Sequence, residues 1–76
     1  MLRNYTFDIR DKDDAVFQGG EVMASDDRHA IIGVAQAVRC LIADCQGMTY
    51  DHVVSITKPD GTALGAPAIV AEFLKT

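Results

Sequence analysis

Four aspartates close to the amino terminus are the first side chains whose type and spacing could do chemistry. They are Asp8, Asp11, Asp13 and Asp14. Closely spaced carboxylates are typical of calcium loops, but here Ala15 stands beside the third potential ligand, the turn glycine is missing and no glutamate occupies the twelfth position. We therefore interpret the four as solvated turn residues, with contact to Arg or Lys of a protein partner as the functional alternative.

The histidines, cysteines and paired glycines are the other candidates for a site. His29 and His52 have no neighbours at metal-ligand or nucleophile spacing. Cys40 and Cys45 lie in one predicted helix and point about 140° apart, which is poor geometry for a disulfide or a shared metal. Gly19-Gly20 follows no phosphate-binding pattern. The sequence thus predicts no catalytic, metal or cofactor site and favours a protein that is not an enzyme.

Length and charge limit the remaining classes. A chain of 76 residues that is 49% hydrophobic should fold as one domain spanning residues 1–76. A net charge of -4 disfavours direct binding of nucleic acid and suits a partner with basic grooves, although it also simply keeps a protein soluble. We see no apolar run of signal-peptide or membrane-span length, so we expect a cytoplasmic protein with reduced thiols and no membrane contact.

Alternation of apolar and polar residues predicts a strand from Arg3 to Arg10, followed by a polar turn. Ala15 to Met23 is predicted as the return strand, with a bulge or bend at Gly19-Gly20. Tyr50 to Thr57 is predicted as a third strand that leads into a Pro-containing turn.

The last third of the chain is less regular. A short return strand is predicted near Thr62 to Gly65. The segment from Ala66 to Thr76 stays open between an edge strand and a short terminal helix, and we favour the helix.

One amphipathic helix is predicted from Asp26 to about Cys45, capped by Ser25 and ended by Gly47. Its core stripe consists of Ile31, Val34, Ala35, Val38, Leu41, Ile42 and Cys45. The opposite face is small and weakly apolar, which indicates either an interaction surface or ordinary scattered exposure. The fold class is therefore α+β: a single helix on a four-stranded antiparallel sheet, ββαββ, with a short C-terminal helix as an option.

The segment Tyr5-Thr6-Phe7-Asp8-Ile9-Arg10-Asp11 resembles the opening of a family of small uncharacterised bacterial ββαββ proteins. The similarity continues through Gly20-Glu21-Val22 and the late Asp60-Gly61 turn. That family has no established activity to transfer. In size, acidity and order of elements the chain also looks like the small anti-CRISPR proteins of phages and mobile elements.

These observations favour a non-enzymatic inhibitor of the anti-CRISPR type, which docks on a basic nucleic-acid-binding surface of a host complex. The alternative is a small bacterial housekeeping protein that forms a homodimer through its helix face or an edge strand. The open face of the sheet is a third candidate for the interface. The predicted partner interface comprises Asp8, Asp11, Asp13, Asp14, Ile32, Gln36, Arg39, Cys40 and Ala43.

Overall fold

The structure is a computed structural model that describes residues 1–75, and it contains one antiparallel sheet covered by one long helix. In chain order the elements are β1 (Arg3–Arg10), β2 (Val16–Ala24), α1 (Asp27–Asp44), β3 (Val53–Thr57), β4 (Ala68–Ile69) and α2 (Val70–Phe73). The strands are ordered β2-β1-β3-β4 across the sheet, and each neighbouring pair is antiparallel. The predicted α+β class, with its four-stranded antiparallel sheet and short terminal helix, is confirmed.

The core lies between one face of the sheet and α1. In β1 the buried side chains are Tyr5, Phe7 and Ile9, whose spacing of two puts all three on that face. On α1 the buried residues are Ala30, Val34, Ala35 and Val38. Full burial of an aliphatic or aromatic side chain contributes about 1.5–3 kcal/mol, so these positions dominate the stability of so short a chain.

The first hairpin closes through a side chain. Asp11 Oδ1 accepts hydrogen bonds from the backbone N–H groups of Asp13 at 2.9 Å and Ala15 at 3.0 Å. The pairing register shifts between Ile9 and Arg10, which leaves Phe17 as the extra residue of a bulge in β2. The predicted irregularity at Gly19-Gly20 is wrong in position, because both glycines are in regular register with β1.

Helix α1 begins one residue later than predicted. Its N-cap is Asp26, whose Oδ1 accepts the His29 N–H at 2.8 Å, so the prediction of Ser25 as cap is wrong. A carboxylate at that position satisfies an open N–H group and also favours the positive end of the helix dipole. Gly47, at φ +92°, takes the left-handed conformation expected where the chain turns away from the helix.

The third strand is shorter than predicted. Residues 50–52 form a turn in which the His52 N–H donates to the Thr49 carbonyl at 3.2 Å, and the strand starts at Val53. The predicted return strand near Thr62 to Gly65 is reduced to a single bridge between Thr57 and Ala63.

The C-terminal segment contains both of the options left open by the sequence. Ala68–Ile69 forms the edge strand β4, and α2 follows directly. Pro67 precedes β4, so it lies outside the helix and costs the sheet no hydrogen bond in its interior. Thr76, the last residue of the segment predicted from Ala66 to Thr76, lies outside the described residues.

Candidate protein-binding surface

An acidic end forms where the first hairpin meets the loop after α1. The chain leaves β2 at the end far from the hairpin, so α1 runs back and finishes near the hairpin. A cleft of about 510 Å³ at this end is lined by Asp11, Lys12, Asp13, Phe17, Gly47, Thr49, Asp51 and His52. The fold thus adds Asp51, from a loop 40 residues further along the chain, to the hairpin carboxylates.

The carboxylates of this acidic end differ in what they already contact. Asp11 is held by the turn hydrogen bonds, and Asp14 Oδ1 lies 3.6 Å from Arg10 Nη1. Asp13 and Asp51 are exposed, and their side chains form no hydrogen bond or ion pair within residues 1–75. These two carboxylates can therefore accept hydrogen bonds from a partner without breaking a contact inside the protein.

The wall of the cleft is aromatic. The rings of Phe17 and His52 meet edge to face, with centroids 5.0 Å apart and planes at 73°. His52 is only 9% exposed, and its Nδ1 accepts the Thr49 N–H at 3.2 Å, which places the neutral ring's proton on Nε2. Phe17, the extra residue of the bulge, thus forms an apolar surface beside the carboxylates of the cleft.

Asp8 lies apart from this cleft. It stands between Phe7 and Ile9, which are buried on the helix side, so its own side chain lies on the sheet face opposite the helix. Its Oδ2 is 4.0 Å from Arg10 Nη2. The structure therefore does not bring all four predicted aspartates together: three surround the hairpin turn and one lies on the open face.

The predicted helix face points away from the sheet. Its members Ile32, Gln36, Arg39, Cys40 and Ala43 are all exposed, and Ile32 is the largest apolar one at 42%. The face comes near the acidic end only at its last member, in the final turn of α1. It is a second and separate candidate surface, and its role in binding stays a prediction.

Carboxylates at the opposite end of the sheet are paired with donors. The Tyr5 hydroxyl donates to Asp27 Oδ1 at 2.8 Å, and Lys58 Nζ lies 3.3 Å from Asp27 Oδ2. The hydrogen bond from Tyr5 lowers the pKa of Asp27, and the same bond raises the pKa of Tyr5. These carboxylates stabilise the fold, in contrast to Asp13 and Asp51.

Sequence reasoning missed Phe17 and Asp51. The only signal for Phe17 was the imperfect alternation of apolar and polar residues in the predicted return strand. Asp51 fell within the predicted third strand.

Within residues 1–75 we find no cluster of three or more His, Cys, Asp or Glu residues arranged for a metal ion. None of the helices in this range has the length and apolar character needed to cross a membrane. Comparison of the chain with protein-family models, curated proteins and solved structures finds no match.

Proposed function

We propose that this protein acts by binding another protein, and that its acidic end docks on a basic surface of that partner. The observation that carries the proposal is the pair of unengaged carboxylates, Asp13 and Asp51, at the rim of a cleft with an aromatic wall. A surface with this composition suits an Arg or Lys side chain.

The fit follows from the chemistry of the two side chains. The methylene stem of Arg or Lys packs on an aromatic ring such as Phe17, while its charged head stays near carboxylates. Hydrogen bonds between ionised groups are about twice as strong as neutral ones. The carboxyl end of α1 adds partial negative charge here, and its last turn contains no basic residue.

The partner we propose is a nucleic-acid-binding complex of a host cell. Proteins that hold DNA or RNA expose dense Lys and Arg to the phosphate backbone, and these surfaces attract a small protein with a net charge of -4. Binding there excludes the nucleic acid. The protein would thus be an inhibitor of the anti-CRISPR type in the cytoplasm, with no cofactor and no nucleic acid bound to it directly.

The test measures target-DNA binding by purified CRISPR effector complexes with and without the protein. We expect wild type to reduce DNA binding, and inhibition to weaken as salt rises, because exposed charge pairs are screened beyond about 8 Å at physiological ionic strength. Asp13→Lys and Asp51→Lys should each weaken inhibition at least tenfold, because like-charge contact costs several kcal/mol across an interface.

The matched control is Glu72→Lys. It changes the net charge by the same amount, and its side chain borders a different cleft beside Ile31 and Leu64. We expect it to inhibit like wild type. If both aspartate variants inhibit normally while Ile32→Glu with Ala43→Glu does not, the helix face is the contact. No inhibition of any effector complex by wild type would refute the anti-CRISPR form of the proposal.

A further inference from the structure

The outer edge of β2 is the longest unpaired strand edge in residues 1–75, because β2 is the first strand in the order β2-β1-β3-β4. We propose that this edge pairs with the same edge of a second copy of the chain. The result is one continuous eight-stranded sheet. The inference is independent of the acidic end and rests on the backbone of Gln18–Ala24, the stretch beyond the bulge.

Hydrogen bonds at the far side of the sheet show which backbone groups point outward. The Leu64 N–H donates to the Ile56 carbonyl at 2.9 Å, and the Val70 N–H donates to the His52 carbonyl at 2.7 Å. Even-numbered residues around β3 therefore direct their backbone groups away from β1. Because these directions alternate along an antiparallel strand, the odd-numbered residues of β3 face β1.

The register carries this alternation across the sheet to β2. Thr6 is opposite Thr57 and Asp8 is opposite Ser55, so even-numbered residues of β1 face β3 and odd-numbered ones face β2. The inward-facing pairs of β1 with β2 are Tyr5 with Val22, Phe7 with Gly20 and Ile9 with Gln18. The residues left on β2 direct their N–H and C=O groups outward: Gly19, Glu21 and Met23.

This edge carries few of the features that normally protect an edge strand. Proteins block free edges with proline, lysine, inward-pointing charge or a bulge. From Gln18 to Ala24 there is neither proline nor lysine, and the sole charged residue is Glu21. The bulge at Phe17 lies before this stretch, and Met23 is 58% exposed on the same strand.

The strand is self-complementary in an antiparallel register centred on Gly20. A two-fold axis through Gly20 places Glu21 of each copy opposite Gly19 of the other, and Gln18 opposite Val22. An axis through Glu21 instead sets the two carboxylates directly opposite each other, which is destabilising. Antiparallel pairing also points the two acidic ends in opposite directions, so the net negative charge does not oppose association at those ends.

The experiment combines sedimentation velocity over a concentration series with amide hydrogen exchange measured by NMR. We expect a monomer–dimer equilibrium whose dissociation constant lies below about 1 mM. As dimer forms, exchange of the Glu21 N–H should slow at least tenfold, together with that of Gly19, its partner in this register. This measurement uses the wild-type chain and so does not depend on any variant folding.

Two variants at one position sharpen the test. Glu21→Pro removes an outward N–H while leaving the bonds of its neighbours to β1, and it should weaken association at least tenfold. Glu21→Gln keeps the N–H and removes the charge, so it should associate at least as tightly as wild type.

Three results would overturn the inference. The first is a monomer throughout the concentration series. The second is a dimer in which the Gly19 and Glu21 amides exchange as fast as in the monomer, since another surface then forms the contact. The third is equal association of the two Glu21 variants. Asp13→Lys should leave association unchanged, which keeps failure here distinct from failure of the proposed docking function.

Discussion

The same chemical change at two glycines should have opposite effects on the free energy of unfolding. Gly20 lies on β2 opposite Phe7, and a Cβ at position 20 would sit 2.9 Å from Cε1 and Cζ of that ring. Gly33 lies on α1, where a Cβ would meet Val22 at 3.6 Å, an ordinary contact distance. Neither glycine has a positive φ, so alanine fits the backbone at both positions.

The magnitude for Gly20→Ala follows from two opposing terms. An extra methyl group in a packed core costs about 1–3 kcal/mol, because the ring of Phe7, only 4% exposed, has little room to move. Replacing glycine also removes chain entropy from the unfolded state, which returns about 0.5–1 kcal/mol. The net expectation is a loss of about 0–2.5 kcal/mol, or a fall in Tm of up to roughly 20 °C for a domain of this size.

Gly33→Ala also removes chain entropy from the unfolded state, but its methyl group does not clash with a neighbouring side chain. Alanine in a helix interior is about 0.8–1.0 kcal/mol better than glycine, so we expect stability to rise by up to that amount. The added methyl group also buries a small apolar area against Val22. Side by side, the two variants separate the effect of the backbone from the effect of packing.

Urea melts monitored by circular dichroism supply the free energies, and a double-mutant cycle tests the cause. Phe7→Leu shortens the side chain that the new methyl group meets, so Gly20→Ala should cost at least 1 kcal/mol less in that background. Equal costs in both backgrounds would refute the contact with Phe7. A stabilising Gly20→Ala in the wild-type background would refute the placement of the ring.

Two further predictions concern α1. Asp26→Ala should lower the urea midpoint while Ser25→Ala leaves it unchanged, because the Asp26 carboxylate accepts the His29 N–H. That hydrogen bond lowers the pKa of Asp26 below its ordinary value of 3.8, so its contribution is fully present above pH 3.8 and is lost as the pH falls through the folded value. The pH dependence of the midpoint below 4 should therefore shrink in the alanine variant, and an unchanged dependence would contradict the cap. Thiol titration of the native protein should show Cys40, which is exposed, reacting faster than the half-buried Cys45, and equal rates would mean that α1 is packed differently.

The fold could be predicted wherever side-chain period alone decides it. Tyr5, Phe7 and Ile9 alternate with polar residues, and that pattern has one stable outcome, a strand with one buried face. The spacing of three and four also predicted the stripe of α1, where Val34, Ala35 and Val38 are buried. It omitted the fully buried Ala30, and its other members, Ile31, Leu41, Ile42 and Cys45, are only partly buried. The prediction of the N-cap was wrong by one residue. Ser25 and Asp26 are both good caps, and the choice between them depends on local backbone geometry that the sequence pattern does not contain.

The candidate site could be predicted only in part, because it depends on contacts between distant segments. Asp13 was identified from its turn, but its neighbour Asp51 reaches the same cleft only through the return of α1 and the loop that follows it. Phe17 enters the cleft because the bulge shifts it out of the strand's phase. Gly20 was predicted as part of a bulge or bend, whereas in the structure its missing side chain leaves space for the ring of Phe7.

The distribution of carboxylates along α1 supports a binding role for the acidic end. At the amino end of the helix, Asp26 and Asp27 satisfy a backbone N–H and a tyrosine hydroxyl, and they complement the positive end of the dipole. At the carboxyl end, Asp44 lies where negative charge is unfavourable for a helix, and no basic residue in the last turn compensates. Sequences break local rules of this kind mainly where function requires it. The same residue type therefore stabilises the fold at one end, while at the other its unpaired charge is the feature that the proposed basic partner would bind.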